Sequence, residues 1–203
     1  MKHVFPHYQG KSLDDFEATT SSLERAVNIT RDYIIDLKAM KAQGKGITFV
    51  GQNGVGKTHL ACAVMSAVDE ASYKYECIEL DSYIGMYKEK FSLSTRISKY
   101  GYDEDGDQAL ELDERIRCVE RYAQFLLLDD LGRETESHSG WSNHQVFNLL
   151  RYRYNRDAPT IITTNLPFPE LDARYTEGLS SFLHEATILV VMEGEDYRCV
   201  GGK

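Results

Sequence analysis

At 203 residues the chain has the length of one compact domain plus at most an appendage, enough to bury a core without disulfide staples. Its 23 Lys and Arg against 32 Asp and Glu give a net charge of −9, which excludes a uniformly basic nucleic-acid coat and leaves room only for a local basic patch. No apolar run approaches the roughly 20 residues that span a bilayer, and the start, MKHVFPHYQGK, has no apolar stretch of a signal peptide. Cys62, Cys77, Cys118 and Cys199 form no CxxC pair, so neither a zinc site nor a disulfide framework is indicated. Isolated thiols in an acidic chain without a signal predict a cytoplasmic protein that meets no membrane.

In chain order, Pro6 and Gly10 argue against a helix at the start. Residues 1–20 are therefore set apart as a short segment that would serve as a docking tail, and residues 21–203 as the core. Ser21 or Ser22 caps a helix whose apolar face is Ala26, Ile29, Tyr33, Leu37 and Met40, ended by Gly44 and Gly46. Ile47 to Val50 reads as a buried strand. After a glycine-rich turn, Leu60, Ala61, Val64, Ala67 and Val68 mark a second helix. A strand is expected over 75–80, then a helix capped by Asp81 and carrying Ile84 and Tyr87. Residues 88–107 are polar and get no element. Leu110, Leu112, Ile116 and Val119 look helical, and 124–128 is the most hydrophobic strand. A helix over 145–154, a strand over 160–164, a helical stretch over 168–184 and a strand over 187–192 complete the chain. Strands alternating with helices predict a mostly parallel sheet covered on both faces.

The turn after the first strand is Gly51, Gln52, Asn53, Gly54, Val55, Gly56, Lys57, Thr58, matching G-x-x-x-x-G-K-[ST] at every fixed position. Glycines let the backbone curl so that successive N–H groups point at phosphate oxygens, and the helix behind adds its N-terminal dipole. Lys57 would reach the β and γ phosphates of ATP, and the Thr58 hydroxyl would hold Mg²⁺. His59 follows directly and is counted with the nucleotide-binding residues.

The hydrophobic strand ends in Asp129 and Asp130. Ligands of parallel sheets bind at the carboxyl ends of the strands. Asp129 would enter the Mg²⁺ shell, and Asp130 would orient or deprotonate the attacking water. Asn165, after the 160–164 strand, would position that water or touch the γ-phosphate. Lys88, Lys90, Arg96 and Lys99 form the local basic patch, with aromatic residues interleaved that would stack on bases of single-stranded DNA. Arg151, Arg153 and Arg156 form a second basic group, with a structural role, a subunit contact and DNA all open. The acidic tract with Asp105 and Asp107 lacks the glycine of a calcium loop and reads as a solvated loop.

Together these residues resemble the DnaC/IstB branch of the AAA+ ATPases, the replicative-helicase loaders and transposition helpers. The likeness runs from about Leu13 to Arg198. It rests on Leu13-Asp-Asp-Phe16, Gly56-Lys-Thr-His-Leu60, Asp129-Asp-Leu-Gly132-Arg-Glu134, Arg153-Tyr154, residues 159–166 and Glu195-Asp-Tyr-Arg198. The resemblance implies a RecA-like AAA+ parallel αβα sandwich with a reduced or absent helical lid. It makes Asn165 the sensor 1 residue and Arg198 a sensor 2 arginine, both catalytic beside Lys57 and Asp130. It also places the Lys88–Lys99 patch where loaders line the path of DNA.

The function implied is loading or remodelling of a DnaB-type replicative helicase on DNA, driven by ATP binding and hydrolysis, with self-assembly on ATP. The alternatives are an IstB-like transposition helper that binds target DNA, and a weakly hydrolysing adaptor or inhibitor of a replication or defence complex. Two departures bear on this. The family's partner-gripping N-terminal domain has no counterpart before Leu13. The family's two arginines after the sensor strand are replaced by Gly178 and Phe182, so the expected ATPase is slow alone, and Arg174 is the nearest substitute.

Overall fold

The structure is a computed structural model that describes residues 5, 8, 10–100, 104–133, 140–175 and 178–197. Five strands form one parallel sheet in the order β2-β3-β4-β1-β5: β1 Gly46–Gly51, β2 Tyr75–Glu79, β3 Phe125–Leu131, β4 Thr160–Thr164 and β5 Thr187–Met192. Helices α1 Ser21–Ile35, α2 Leu37–Ala42 and α3 Lys57–Glu70 precede β2. Helices α4 Leu80–Tyr100 and α5 Glu104–Arg117 and a π-helical turn Cys118–Tyr122 lie between β2 and β3. Helices α6 Trp141–Tyr154, α7 Phe168–Arg174 and α8 Leu179–Ala186 complete the set.

Alternation along each strand divides the core in two. Phe125 and Leu127 of β3 face one cluster, with Ile47, Phe49 and the α1 and α3 side chains. Leu126 and Leu128 face the other, with side chains from α4 to α8. All four β3 side chains are fully buried, each contributing about 1.5–3 kcal/mol relative to exposure. A parallel strand covered on both faces is therefore a continuous apolar run, as β3 is.

The differences from the sequence reading have local causes. Thr20 is the N-cap of α1: its hydroxyl accepts from Leu23 N at 3.2 Å and donates to Glu193 O at 2.8 Å. Ser22 instead ties α1 to the end of β5, donating to Val191 O and accepting from Glu193 N. The long first helix is interrupted at Asp36, and Asp81 lies inside the first turn of α4 as an acidic residue at its positive end. The polar stretch after Tyr87 is helical to Tyr100. Leu93 is buried, and Lys90–Asp113 (2.5 Å) and Arg96–Asp105 (2.8 Å) fasten α4 to α5. The stretch over 168–184 divides into α7 and α8, with Gly178 as the α8 N-cap at φ +113°. β5 is the last element described, so the lid expectation falls outside the described residues. Among the described residues no helix is long and apolar enough to cross a membrane.

Candidate nucleotide and magnesium site

The strand order reverses between β4 and β1. From β1 the chain crosses past β4 and β3 to reach β2, and from β4 it crosses past β1 to reach β5. That switch point opens a crevice at the carboxyl ends of the strands. A cavity of about 450 Å³ lies there, lined by residues 53–59 of the glycine-rich turn, by Asp129, Asp130 and Asn165, and by Phe16 and Tyr197.

Gly56 has φ +98° and caps α3, so the next residue, Lys57, opens the helix. A Cβ on Gly56 would lie 2.4 Å from the Phe16 ring, so this position serves both the turn and the close approach of the N-terminal segment. Lys57 is 5% exposed. Its Nζ donates to Gln52 O at 2.8 Å and to Asn165 Oδ1 at 2.6 Å. The lysine that would grip phosphate and the asparagine beyond the sensor strand thus meet across the crevice.

Asp129 and Asp130 are consecutive, and in a regular strand they would point to opposite faces. Here both line the cavity. The register between β3 and β4 slips between Leu128 and Leu131, and Asp130 takes φ +59°, a left-handed conformation rare outside glycine. This bulge re-aims both carboxylates. Asp129 Oδ1 accepts from Thr163 Oγ1 at 2.6 Å and from Thr58 Oγ1 at 3.1 Å. Thr163 Oγ1 also accepts from Asp130 N at 2.9 Å. Burial pushes the Asp129 carboxyl up to about 6, helped by the Asp130 charge and opposed by the Thr163 and Thr58 hydroxyls. Asp130 Oδ2 pairs with Arg133 at 3.0 Å.

The residues present fit magnesium. Thr58 and Asp129 are hard oxygen donors held together at 3.1 Å, and burial makes the ionised Asp129 costly until a cation joins it. No cluster of three His, Cys, Asp or Glu side chains offers an all-protein cage among the described residues.

The sequence reading foresaw Lys57, Thr58, Asp129, Asp130 and Asn165, and the structure brings them to one crevice. His59 lines it too, with Nε2 2.9 Å from Ser12 O and its ring edge against Phe16. The described part of the N-terminal segment lies against this wall. Thr163 and Arg133 were not singled out, although both sit inside quoted motifs. Thr163 is invisible by type because a threonine in a buried strand is ordinary. Arg198 lies outside the described residues.

Phe182 is 5% exposed and packs among Phe147 and Tyr154, with the Arg151 guanidinium 5.5 Å from its ring. Arg153 of the second basic group is fully buried and structural: it donates to Thr160 Oγ1, Val119 O, Ala123 O and Pro159 O. Of the basic patch, Lys90 and Arg96 are engaged by α5 carboxylates, while Lys88 and Lys99 are exposed. Phe91, beside them on α4, is 76% exposed.

The five-stranded parallel sheet with the phosphate-type turn after β1 and paired carboxylates after β3 is the RecA-like α/β fold of the AAA+ proteins. Within that class, the chain is related to the DnaC/IstB-like ATP-binding proteins. The DnaC helicase loader structure superposes with TM-score 0.69 and 28% identity, over 93% of this chain and 99% of that one. The ATP-binding protein of insertion sequence IS232 from Bacillus thuringiensis subsp. berliner is 26% identical over 96% of this chain and 70% of its own length. The replicative helicase loader DnaI of Bacillus subtilis (strain 168) is 27% identical over 66% of this chain, and only 37% of its own length is spanned. No family model matches the sequence.

Proposed function

We propose that the chain binds ATP with Mg²⁺ in the β1–β4 crevice, hydrolyses it slowly, and uses this cycle to load or remodel a DnaB-type replicative helicase on DNA. The observation that carries the nucleotide reading is the convergence of Lys57, Thr58, Asp129 and Asn165 from three strand ends onto one cavity. Lys57 leaves Gln52 O and Asn165 for the β and γ phosphates. Asn165 is then released towards the γ-phosphate and the attacking water. Asp130 orients that water and receives its proton. Thr58 and Asp129 would hold magnesium, which would supply positive charge to the phosphates.

Slow turnover is supported by Gly178 and Phe182. Neither supplies charge, and the buried Phe182 cannot reach a neighbour's nucleotide; an absent finger arginine lowers rates by 10³ or more. Arg198 is proposed as a further phosphate contact. Self-assembly on ATP and single-stranded DNA along Lys88, Phe91 and Lys99 belong to the same proposal, with Phe91 as the stacking platform.

The likeness to nearly the whole DnaC loader chain supports helicase as the partner. The IS232 protein, aligned over 96% of this chain, favours a second reading as a transposition helper that binds target DNA. Affinity capture decides between them. A tagged chain with ATP should retain the replicative helicase, and the Lys57→Ala variant should not. Retention of a transposase instead, with ATP-dependent DNA binding, would replace the first reading by the second. Tight ATP binding without turnover or either partner would leave the adaptor reading.

A further inference from the structure

The turn after β3 carries a cation that the nucleotide reading leaves unused. Arg133 lines the same cavity as Lys57, Thr58, Asp129, Asp130 and Asn165. Its side chain is 74% exposed, and Nη1 lies 3.0 Å from Asp130 Oδ2. The base of this arginine is held firmly. Arg133 N donates to Asp130 O at 3.1 Å, closing a tight turn. Gly132 within it has φ +98°, and a Cβ there would lie 2.4 Å from Leu166 Cδ1. Thr164 Oγ1 donates to Leu131 O at 2.7 Å and accepts from Leu166 N at 3.1 Å. The turn bearing Arg133 is thereby locked to the segment bearing Asn165, while the guanidinium, paired with Asp130, is largely exposed at the mouth of the cavity.

We propose that Arg133 is the cation this chain supplies in cis to the terminal phosphate of its own ATP, exchanging the Asp130 carboxylate for that phosphate. The inference rests on the nucleotide reading above. An exposed ion pair at three-residue spacing is weak and readily traded. A terminal phosphate offers the guanidinium more charge and the planar oxygen pair that its fork fits. The exchange also releases Asp130 Oδ2 for water. The two events are coupled: the arginine reaches the charge that grows on the phosphoryl group as the carboxylate becomes free to act. In the step itself, the water oxygen bonds to the γ-phosphorus while the bond to the β–γ bridging oxygen breaks. The bridging oxygen leaves on ADP, and a water proton passes to Asp130 and then to solvent, giving ADP and inorganic phosphate. Arg133 takes over in part the work of the arginines replaced by Gly178 and Phe182, without a neighbouring subunit.

The test compares wild type, Arg133→Ala and Arg133→Lys for affinity towards ATP and ADP, each with Mg²⁺, and for single-turnover hydrolysis. Lys57→Ala serves as an added partner that carries Arg133 but lacks the phosphate lysine. In Arg133→Ala, ADP affinity should stay within about twofold, while the preference for ATP over ADP and the hydrolysis rate should each fall at least about tenfold, as for a cis arginine in related chemistry. Arg133→Lys should fall in between, because it keeps charge and loses the fork. Excess Lys57→Ala should restore nothing. Unchanged ATP preference and rate in Arg133→Ala would overturn the inference and leave the nucleotide reading standing. Restoration by Lys57→Ala would also overturn it, placing the arginine in trans. A wild type that bound neither nucleotide would overturn the nucleotide reading and this inference together.

Discussion

Lys57 and Arg153 are both cations buried in this domain, at opposite ends of the sheet. Lys57 is 5% exposed and Arg153 fully buried, and the hydrogen bonds described for each end on neutral oxygens. Their surroundings differ. Lys57 stands on the wall of a 450 Å³ cavity at the carboxyl ends of the strands. Arg153 is packed at the amino ends, where Val119 O and Ala123 O at the π-helical turn and Pro159 O and Thr160 Oγ1 before and in β4 converge on its guanidinium. Helix and turn ends leave carbonyls without intrahelical partners, and Arg153 donates to Val119 O and Ala123 O there, and to Pro159 O, which also accepts from Leu126 N. Burial of a charge therefore does not mark a working residue. The space left beside it does.

The largest expected effect breaks the structural member of the pair. Arg153→Ala removes donors from three carbonyls and a hydroxyl and opens a void, a loss of about 4 kcal/mol. Denaturant unfolding should show it, and nucleotide affinity of the fraction still folded should be unchanged. A mutant that unfolded normally but lost ATP binding would reverse the roles assigned to the two cations.

Next comes a carboxylate that lines the same crevice as Lys57, that of Asp129. The folded Asp129 value of about 6 lies above the ordinary 3.8, so the protonated form favours folding. Stability from this group falls as pH rises from about 4 through 6, and the full cost is present above that range. The rise corresponds to about 3 kcal/mol. Asp129→Asn, whose Oδ1 still accepts from Thr163 and Thr58, should stabilise the ligand-free protein by up to that amount at pH 8 and by much less near pH 4. The same change should abolish the gain in ATP affinity that Mg²⁺ brings. In the wild type that gain should shrink as pH falls through 6. Destabilisation of Asp129→Asn at pH 8 would show that the carboxylate is structural, like Arg153. Lys57→Ala follows: ATP affinity should drop about 100-fold, about 2.7 kcal/mol, with the melting temperature held or raised.

The two ends were unequally legible in sequence. The phosphate end follows from residue types whose chemistry is spelled by spacing, so Gly51 to Thr58 and the Asp129–Asp130 pair stand out against an apolar background, whereas Asn165 took its weight from the resemblance. Arg153 stood as one of three arginines with a structural role, a subunit contact and DNA all open, because burial is decided by chain segments 30 residues distant. Strands β3 and β5 were clear since their apolar runs are continuous. The second half of α4 was not, because its polar residues face water or α5 and only Leu93 is buried deeply. Thr163 escaped for the reverse reason: nothing in a TIITT strand distinguishes the hydroxyl that binds Asp129 from those of Thr160 and Thr164, which serve Arg153 and the turn after the strand. The bulge at Asp130 has no glycine to announce it.

The smallest effect concerns cations that are not buried at all, and it extends the comparison to the surface. Lys90 is held by Asp113, so its charge is locally balanced, whereas Lys88 is exposed one turn before Phe91 and its neighbours. If α4 meets single-stranded DNA, Lys88→Ala should weaken binding a few-fold. It should also reduce the slope of log affinity against log salt by about 0.7, the value for one phosphate contact on a single strand. Lys90→Ala should change the slope less, because Lys90 is already paired with Asp113. Phe91→Ala should cost about 1–3 kcal/mol with no change in slope, since stacking releases no counterions. Titrations between 50 and 200 mM salt separate the three variants. Equal slopes for wild type and Lys88→Ala would remove DNA from this face of α4, and Phe91 would then mark a contact with protein.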